Sequence, residues 1–326
     1  MAHLANDAHF GARRAPGSNG VHRARAFRWL ISGAVGLALS GGIAALGEHA
    51  LEGRDAATQT TDDTFCNVGN RRVRYLLAGT DKPGPTLVLV NGLGGSIEQW
   101  QALESLAKIA PVLAYDRGGY GFSDGIGAHD AEHQVEELHE LLGALGLSGP
   151  FVVVAYSASA LLVRLFEERY PELVAGLVFL DPVAPENALA TRRAAVTCTL
   201  HALFGIMRLK LWWNKTPHTR REEKEQAIVS SFHHWLESTA ELWTLGDWSS
   251  RLLSFPPLSS IPVGVATTYD RQQGEAQGRA VEKCQRLAQS SRGVFERLFV
   301  DHGRIASAAA TVDFVARIEA HARGSN

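Results

Sequence analysis

The feature that most constrains the fold is a series of short, continuous apolar runs that alternate with segments of helical periodicity. Residues 86–90 are apolar at nearly every position, which is typical of a strand buried on both faces. Residues 130–145 instead place leucines and a valine at helical spacing. This alternation predicts an α/β fold with a mostly parallel central sheet and helices on both faces. The predicted strands are 71–77, 86–90, 111–115, 151–155, 176–180, 262–266 and 295–300.

Parallel sheets of this kind place their chemistry where the strands end. The strand 151–155 is followed at once by Ser157 and then by a helical segment. A serine in such a sharp turn is lifted above the sheet, and it needs small neighbours such as Ala155 and Ser159. The helix N-terminus beside it favours negative charge. Ser157 is therefore predicted to be a nucleophile, with an ordinary helix N-cap as the alternative.

A glycine-rich turn follows the strand 86–90, at residues 91–95. Such a turn can direct a backbone N–H group at the carbonyl oxygen of a substrate. We predict an oxyanion hole formed by the N–H of Leu93 or Gly94 together with that of Ala158. The segment after the strand 111–115 begins with Asp116 and Arg117, which we interpret as structural residues that tie loops together.

A serine hydroxyl needs a base, and His302 follows the last strand. A third residue should orient the imidazole. Asp181 follows the strand 176–180, and Asp270 follows the strand 262–266. Either aspartate can reach His302 in this architecture, and the order serine, acid, histidine suits a hydrolase.

Three segments taken in order carry a resemblance to a known family. The turn at 91–95, the segment 115–123 and the sequence around Ser157 resemble the α/β-hydrolase fold-1 family. The resemblance covers residues 65–185 well and 258–320 loosely. It implies a hydrolase core at 64–182 and 258–326, interrupted by a helical cap at 183–257. It also implies a serine hydrolase that needs no cofactor and no metal.

More narrowly, the chain resembles a bacterial branch whose members carry an N-terminal apolar segment. In that branch the loop after the next-to-last strand often lacks a usable aspartate, and a helix similar to residues 284–291 follows. This similarity favours Asp181 over Asp270 as the acid. The chain departs from the family at Tyr156, Ser159 and Ala160, where histidine and two glycines are usual. The consequences expected of these departures are altered packing of the serine turn, shifted specificity or lost activity.

The predicted cap holds five of the seven tryptophans. Trp212 and Trp213 are expected to line an apolar substrate pocket together with Asn91 and Tyr156. Packing inside the cap is the favoured interpretation of the aromatic stretch around Trp212, and contact with a lipid interface is the alternative.

The N-terminus is organised differently from the rest. Residues 1–28 form a basic, polar arm, and residues 29–47 form an uncharged run of 19 residues. Such a run nearly matches the thickness of a bilayer core. The arginines before it place the catalytic part outside the cytoplasm. We predict an anchor, with a cleaved signal peptide and secretion as the alternative. Residues 48–63 are predicted to be a linker.

Composition excludes some functions. A formal net charge of −2 gives no attraction to nucleic acid. The three cysteines form no zinc-binding pattern. The predicted function is cleavage of ester or related acyl bonds in a small or lipid-like apolar substrate. The alternatives are an amidase, lactonase or acyltransferase, and a catalytically altered binding or scaffold protein.

Overall fold

The computed structural model describes residues 41–125, 130–182, 188–214, 217–252, 261–269, 295–301 and 309–324. The chain divides into two compact units, Met1–Gly47 and Glu48–Asn326. The described residues of the first unit, 41–47, are helical.

The second unit is built on an eight-stranded sheet. The strands are β1 Thr64–Val68, β2 Arg71–Ala78, β3 Leu87–Val90, β4 Val112–Tyr115, β5 Phe151–Tyr156, β6 Val174–Leu180, β7 Val263–Tyr269 and β8 Phe295–Asp301. Their order across the sheet is β1-β2-β4-β3-β5-β6-β7-β8. Strands β1 and β2, and β2 and β4, pair antiparallel, whereas the other neighbours pair parallel. The predicted α/β class and mostly parallel sheet are confirmed.

Helices cover both faces of the sheet. The helices are α1 48–59, α2 Leu103–Leu106, α3 Ala131–Ala144, α4 Ser159–Arg169, α5 Ala188–Leu203, α6 Ile206–Asn214, α7 Arg220–Ser230, α8 Phe232–Leu252 and α9 Ala309–Gly324. On one face of the sheet, α3 and α4 pack on alternate strand residues such as Val88 and Val153. On the other face, α2 and α9 pack on the intervening residues, such as Leu87 and Val152.

Burial on two sides explains why the central strands read as unbroken apolar runs. All four residues of β3 are fully buried. Burying each such side chain stabilises the fold by roughly 1.5–3 kcal/mol. The packing of α9 is equally close, because a Cβ at Gly264 would lie 2.8 Å from Cζ of Phe314.

The linker predicted at 48–63 is wrong for most of its length. Residues 48–59 are helical and form α1. Glu48 and Asp55 of α1 form ion pairs with Arg208 of α6, at 2.7 and 2.6 Å. The acidic residues that suggested a solvated linker therefore serve as partners for the cap.

Four helices, α5 to α8, lie between β6 and β7 and form the predicted insertion. Trp212 and Trp213, which are predicted to line a pocket, lie on α6, and their side chains are exposed by 71% and 80%. Their pocket-lining role stays a prediction.

Within the described ranges, no single helix is long and apolar enough to cross a membrane. Residues 29–40 of the predicted anchor lie outside those ranges, so the anchor stays a prediction.

Candidate active site

Ser157 occupies the tight turn between β5 and α4. Its φ is +57°, and its N–H donates to the carbonyl oxygen of Leu180 at 2.9 Å. A residue other than glycine rarely adopts this left-handed conformation, which is strained and concentrates at functional sites. The strand-to-helix turn lifts a partly exposed serine to the carboxyl edge of the sheet, as the sequence predicts for a nucleophile.

The neighbours of Ser157 show why the turn tolerates residues other than the usual glycines. Ala155 is fully buried in the core. Ser159 is 2% exposed, and its hydroxyl lies 2.9 Å from the carbonyl oxygens of both Val90 and Tyr156. A buried hydroxyl without an acceptor would be costly, but here it has two. The departure from the family at Ser159 therefore leaves the turn intact.

The glycine-rich turn at 91–95 touches this serine turn directly. A Cβ at Gly92 would lie 2.8 Å from the carbonyl oxygen of Tyr156 and 3.0 Å from Cβ of Ser157. Only glycine permits such an approach. Within the part of the chain that the structure describes, the N–H groups of Leu93, Gly94 and Ala158 donate to no protein acceptor. They are available to an oxygen of a ligand, as an oxyanion hole requires.

Arg117 fastens the glycine-rich turn to the cap. One guanidinium nitrogen donates to the carbonyl oxygen of Gly92 at 2.9 Å, and another forms an ion pair with Glu241 of α8 at 2.9 Å. The hydroxyl of Tyr120 also donates to Glu241. Burial alone would lower the pKa of Arg117, but the charge of Glu241, the hydrogen bond to it and the influence of Tyr120 and Tyr115 together raise the pKa above its ordinary value. Arg117 stays charged, and its structural interpretation agrees with these contacts.

Asp116 has a similar structural position. Its carboxylate accepts from Arg74 at 3.0 Å and from the N–H of Ile97 at 2.8 Å. Burial raises the pKa of Asp116 to about 6 against the opposing charge of Arg74. The residue is fully buried and fixes the segment after the glycine-rich turn.

His234 of α8 is a residue that the sequence did not single out. It is 2% exposed and lies beside Gly94, where a Cβ would be 3.7 Å from its Nε2. Burial lowers its pKa to about 4, although a hydrogen bond to the Gly94 backbone opposes this shift. The imidazole is therefore neutral near pH 7. Its buried Nδ1 has no partner among the described residues.

Asn91 and Tyr156 differ in the solvent exposure of their side chains. Asn91 is fully buried, and its amide donates to the carbonyl oxygen of Tyr115 at 3.1 Å. It therefore holds the glycine-rich turn onto β4 and offers no surface to solvent. Tyr156 is half-buried and packs edge to face on Trp100, with 6.3 Å between the ring centroids. Burial, and then the charge of Asp181, raise the pKa of Tyr156.

Asp181 follows β6, the strand that pairs with β5, which Ser157 follows. It has a φ of +46°, and its N–H donates to the carbonyl oxygen of Ala266 at 2.7 Å. Because Tyr156 pairs with Leu180 in the sheet, Ser157 and Asp181 follow strand ends at the same level. The structure thus places one candidate acid beside the candidate nucleophile.

Asp270 and His302 lie outside the described residues. They directly follow β7 and β8, whose last residues, Tyr269 and Asp301, are register partners. Their predicted roles stay predictions. Among the described residues, no group of histidine, cysteine and acidic side chains could hold a metal ion.

Comparison with known proteins agrees with this architecture. A family model described as the alpha/beta hydrolase fold matches residues 85–261, which is more than half of the chain. Because the match covers more than half of the chain, the chain belongs to the α/β-hydrolase fold family.

One curated relative matches only part of the chain. The chain is 34% identical over 112 residues to YqjL, an uncharacterised protein of Bacillus subtilis (strain 168). That match covers 33% of this chain and 44% of YqjL, so it spans less than half of the relative.

Two solved structures share the fold. The Cif epoxide hydrolase from Acinetobacter nosocomialis has a TM-score of 0.61 at 14% identity, covering 82% of this chain and 96% of that one. The enol-lactonase from Burkholderia xenovorans LB400 has a TM-score of 0.57 at 18% identity, covering 79% and 99%. At such identities the likeness concerns the fold alone.

Proposed function

We propose that the protein is a serine hydrolase that cleaves ester or related acyl bonds of a small or lipid-like apolar substrate. The observation that carries the proposal is the strained backbone of Ser157, with a φ of +57°, against which Gly92 packs. Strain of this kind persists only where the surroundings enforce it. The same turn carries the N–H group of Ala158, which donates to no acceptor among the described residues.

In the proposed reaction the hydroxyl oxygen of Ser157 attacks the acyl carbonyl carbon while His302 takes the hydroxyl proton. The N–H groups of Ala158 and of Leu93 or Gly94 stabilise the negative oxygen that forms. The bond to the leaving group then breaks, and His302 returns the proton to that group. Water, activated by His302, hydrolyses the resulting acyl-enzyme and frees Ser157.

The decisive experiment uses a fluorophosphonate probe, which reacts with activated serines. The full chain should be labelled, and Ser157→Ala should abolish the labelling. Ser159→Ala is the matched control, because that serine lies in the same turn but is buried with its hydroxyl bonded to backbone. A folded wild-type protein that does not react would favour a binding or scaffold role instead. Separate assays with ester, amide and lactone substrates then distinguish the bond cleaved.

For the acid we propose Asp181, supported by its position beside Ser157 and by its positive φ. Replacing it with asparagine leaves the shape but presents the wrong partner to His302, which costs about 10⁴-fold in kcat in a comparable triad. We expect Asp181→Asn to abolish most turnover and Asp270→Asn to leave it near that of the wild type. The opposite pattern would assign the acid to Asp270.

We also propose that residues 29–47 anchor the protein in a membrane with the catalytic unit outside the cytoplasm. The uncharged run and the arginines before it support this proposal. Membership of the narrower bacterial branch stays a prediction as well.

A further inference from the structure

The cap carries a large exposed apolar surface. Val196, Leu200 and Phe204 follow one another at four-residue spacing, and their side chains are exposed by 38%, 49% and 42%. Leu209, Trp212 and Trp213 are spaced three and four residues apart on α6, and they are exposed by 61%, 71% and 80%. We call these six residues the apolar face. Single exposed apolar residues are ordinary, but six of them within the 18 residues 196–213 indicate an interaction site.

The chemistry of the apolar face suits a lipid interface. Tryptophan concentrates where acyl chains meet headgroups, because its ring is apolar and its indole N–H can still find a polar partner. The same short helix carries the exposed Lys210, whose charge suits anionic headgroups. Trp212 and Trp213 therefore lie on the same helix as a cation of the kind that an interfacial helix uses.

The geometry favours lying on a membrane over crossing one. The segments Arg193–Leu203 and Ile206–Trp213 together are as apolar as a membrane span, but they bend by 87° at the break between them. Helix α6 has nine residues, which extend about 14 Å, whereas a bilayer core is roughly 30 Å thick. A bent pair of short helices is better suited to the plane of the interface.

The position of the apolar face in the chain explains why the bilayer, and not another surface, would cover it. Glu48 directly follows the uncharged run 29–47, and it forms an ion pair with Arg208 at 2.7 Å. Asp55 adds a second ion pair to the same guanidinium at 2.6 Å. Trp212 lies one helical turn beyond Arg208. The two ion pairs thus link α6 to the residue that directly follows the proposed anchor in the chain.

We propose that the apolar face binds the interface of the lipid bilayer, with Trp212 and Trp213 inserted at the level where headgroups meet acyl chains. The proposal rests on the anchor proposed above and adds a second membrane contact, made by the cap. It does not depend on the identity of the nucleophile.

The test measures tryptophan fluorescence of the full chain reconstituted in phosphatidylcholine–phosphatidylglycerol vesicles. Lipids with brominated acyl chains quench tryptophans that lie in the bilayer. We expect quenching of the wild type and loss of most of it in Trp212→Ser/Trp213→Ser, the remainder coming from Trp29 at the start of the run. Leu76→Ser removes an apolar side chain that is 38% exposed on β2, and it should keep the quenching of the wild type.

Two further measurements keep the outcomes separate. Circular dichroism and denaturant unfolding of the double variant in detergent show that it is folded, and flotation of the double variant on vesicles reports the anchor without the two tryptophans. Equal bromine quenching in the wild type and the double variant would overturn the proposal. So would protection of both tryptophans from aqueous acrylamide without bromine quenching, which would indicate a second copy or another part of this chain on the apolar face. Failure of the full chain to float would remove the anchor on which the proposal rests.

Discussion

At the scale of single residues, the site depends on a close contact between two backbone segments, the glycine-rich turn at 91–95 and the turn of Ser157. Gly92 approaches the turn of Ser157 more closely than any Cβ would allow. Arg117 holds the carbonyl oxygen of Gly92 from the other side, so this glycine is fixed between the serine turn and a buried guanidinium. The position of the oxyanion donors follows from that contact.

We therefore expect Gly92→Ala to impair catalysis severely. The new Cβ would lie 2.8 Å from the carbonyl oxygen of Tyr156, so the turn must move and carry the N–H groups of Leu93 and Gly94 away. Losing an oxyanion donor costs roughly 10²–10³-fold in kcat. Gly143→Ala is the control, because a Cβ there meets no atom within 4 Å. Steady-state kinetics showing equal kcat for both variants would contradict this view of the turn.

His234 predicts a pH dependence of stability. The unfolded chain binds a proton at this residue below its ordinary pKa of 6.5, whereas the folded protein resists protonation until about 4. Stability is therefore complete above pH 6.5 and is lost as the pH falls towards 4. The difference corresponds to about 3 kcal/mol, because one pKa unit is about 1.4 kcal/mol.

The measurement compares denaturant unfolding of the wild type and His234→Gln between about pH 7 and about pH 4.5. Other acidic groups titrate in both proteins, so their contributions cancel in the difference. The variant should lose less stability on acidification than the wild type. Parallel curves would mean that His234 is not the group responsible.

The individual residues also show what the sequence could and could not predict. The position of Ser157 in a strand-to-helix turn was predictable, because a strand, a serine and a helical segment follow one another directly in the sequence. The importance of His234 was not, since nothing near it in sequence identifies Gly94 as its neighbour. The exposure of Trp212 and Trp213 was not predicted, because an apolar side chain is expected to be buried and the sequence does not show what would cover it.

At the scale of elements, α8 is unusual because its buried face is polar. His234, Glu237, Ser238 and Glu241 follow the spacing of one helical face, and each is at most 9% exposed. This face lies against the glycine-rich turn and the Arg117 segment. A search for apolar stripes misses such a helix, whereas a stripe of polar residues inside an otherwise apolar helix would have identified it.

The ion pair between Arg117 and Glu241 should be the strongest link between core and cap. Removing one partner leaves a buried charge, so Arg117→Met is expected to cost about 3–5 kcal/mol of unfolding free energy. The double variant Arg117→Met/Glu241→Met should recover much of that loss. Denaturant unfolding measures both.

Arg72→Met provides the control for this comparison. Its pair with Asp124 is exposed, at 62% and 40%, so its loss should change stability by less than about 1 kcal/mol. If the double variant is as unstable as the single one, Arg117 contributes through contacts other than Glu241.

At the scale of the whole molecule, the parallel strands were predictable, whereas strand β1 at the edge of the sheet was not. Strands β3 to β8 read as apolar runs because helices bury both of their faces. Strand β1 has a mixed exposed and buried pattern, so residues 64–68 contain no apolar run that could be recognised. Helix α1 was mistaken for a linker because its acidic residues pair with Arg208, which is 160 residues away from Glu48 in the chain.

The proposed anchor predicts how the whole protein behaves in fractionation. The full chain should remain in the membrane pellet after alkaline carbonate washing, and N-terminal sequencing should find residues before position 48 intact. A cleaved signal peptide predicts instead a soluble protein whose first residue follows the uncharged run. Finding that soluble form would replace the anchor with secretion.

The two left-handed residues at neighbouring strand ends also affect how the protein would respond to laboratory evolution. Ser157 and Asp181 both hold positive φ angles, at +57° and +46°. Each conformation costs on the order of 1 kcal/mol or more, and glycine would relieve it. Selection for heat resistance alone would thus enrich glycine at the two positions where the proposed chemistry needs a side chain. Variants that survive heating best would tend to be inactive, unless turnover is selected at the same time.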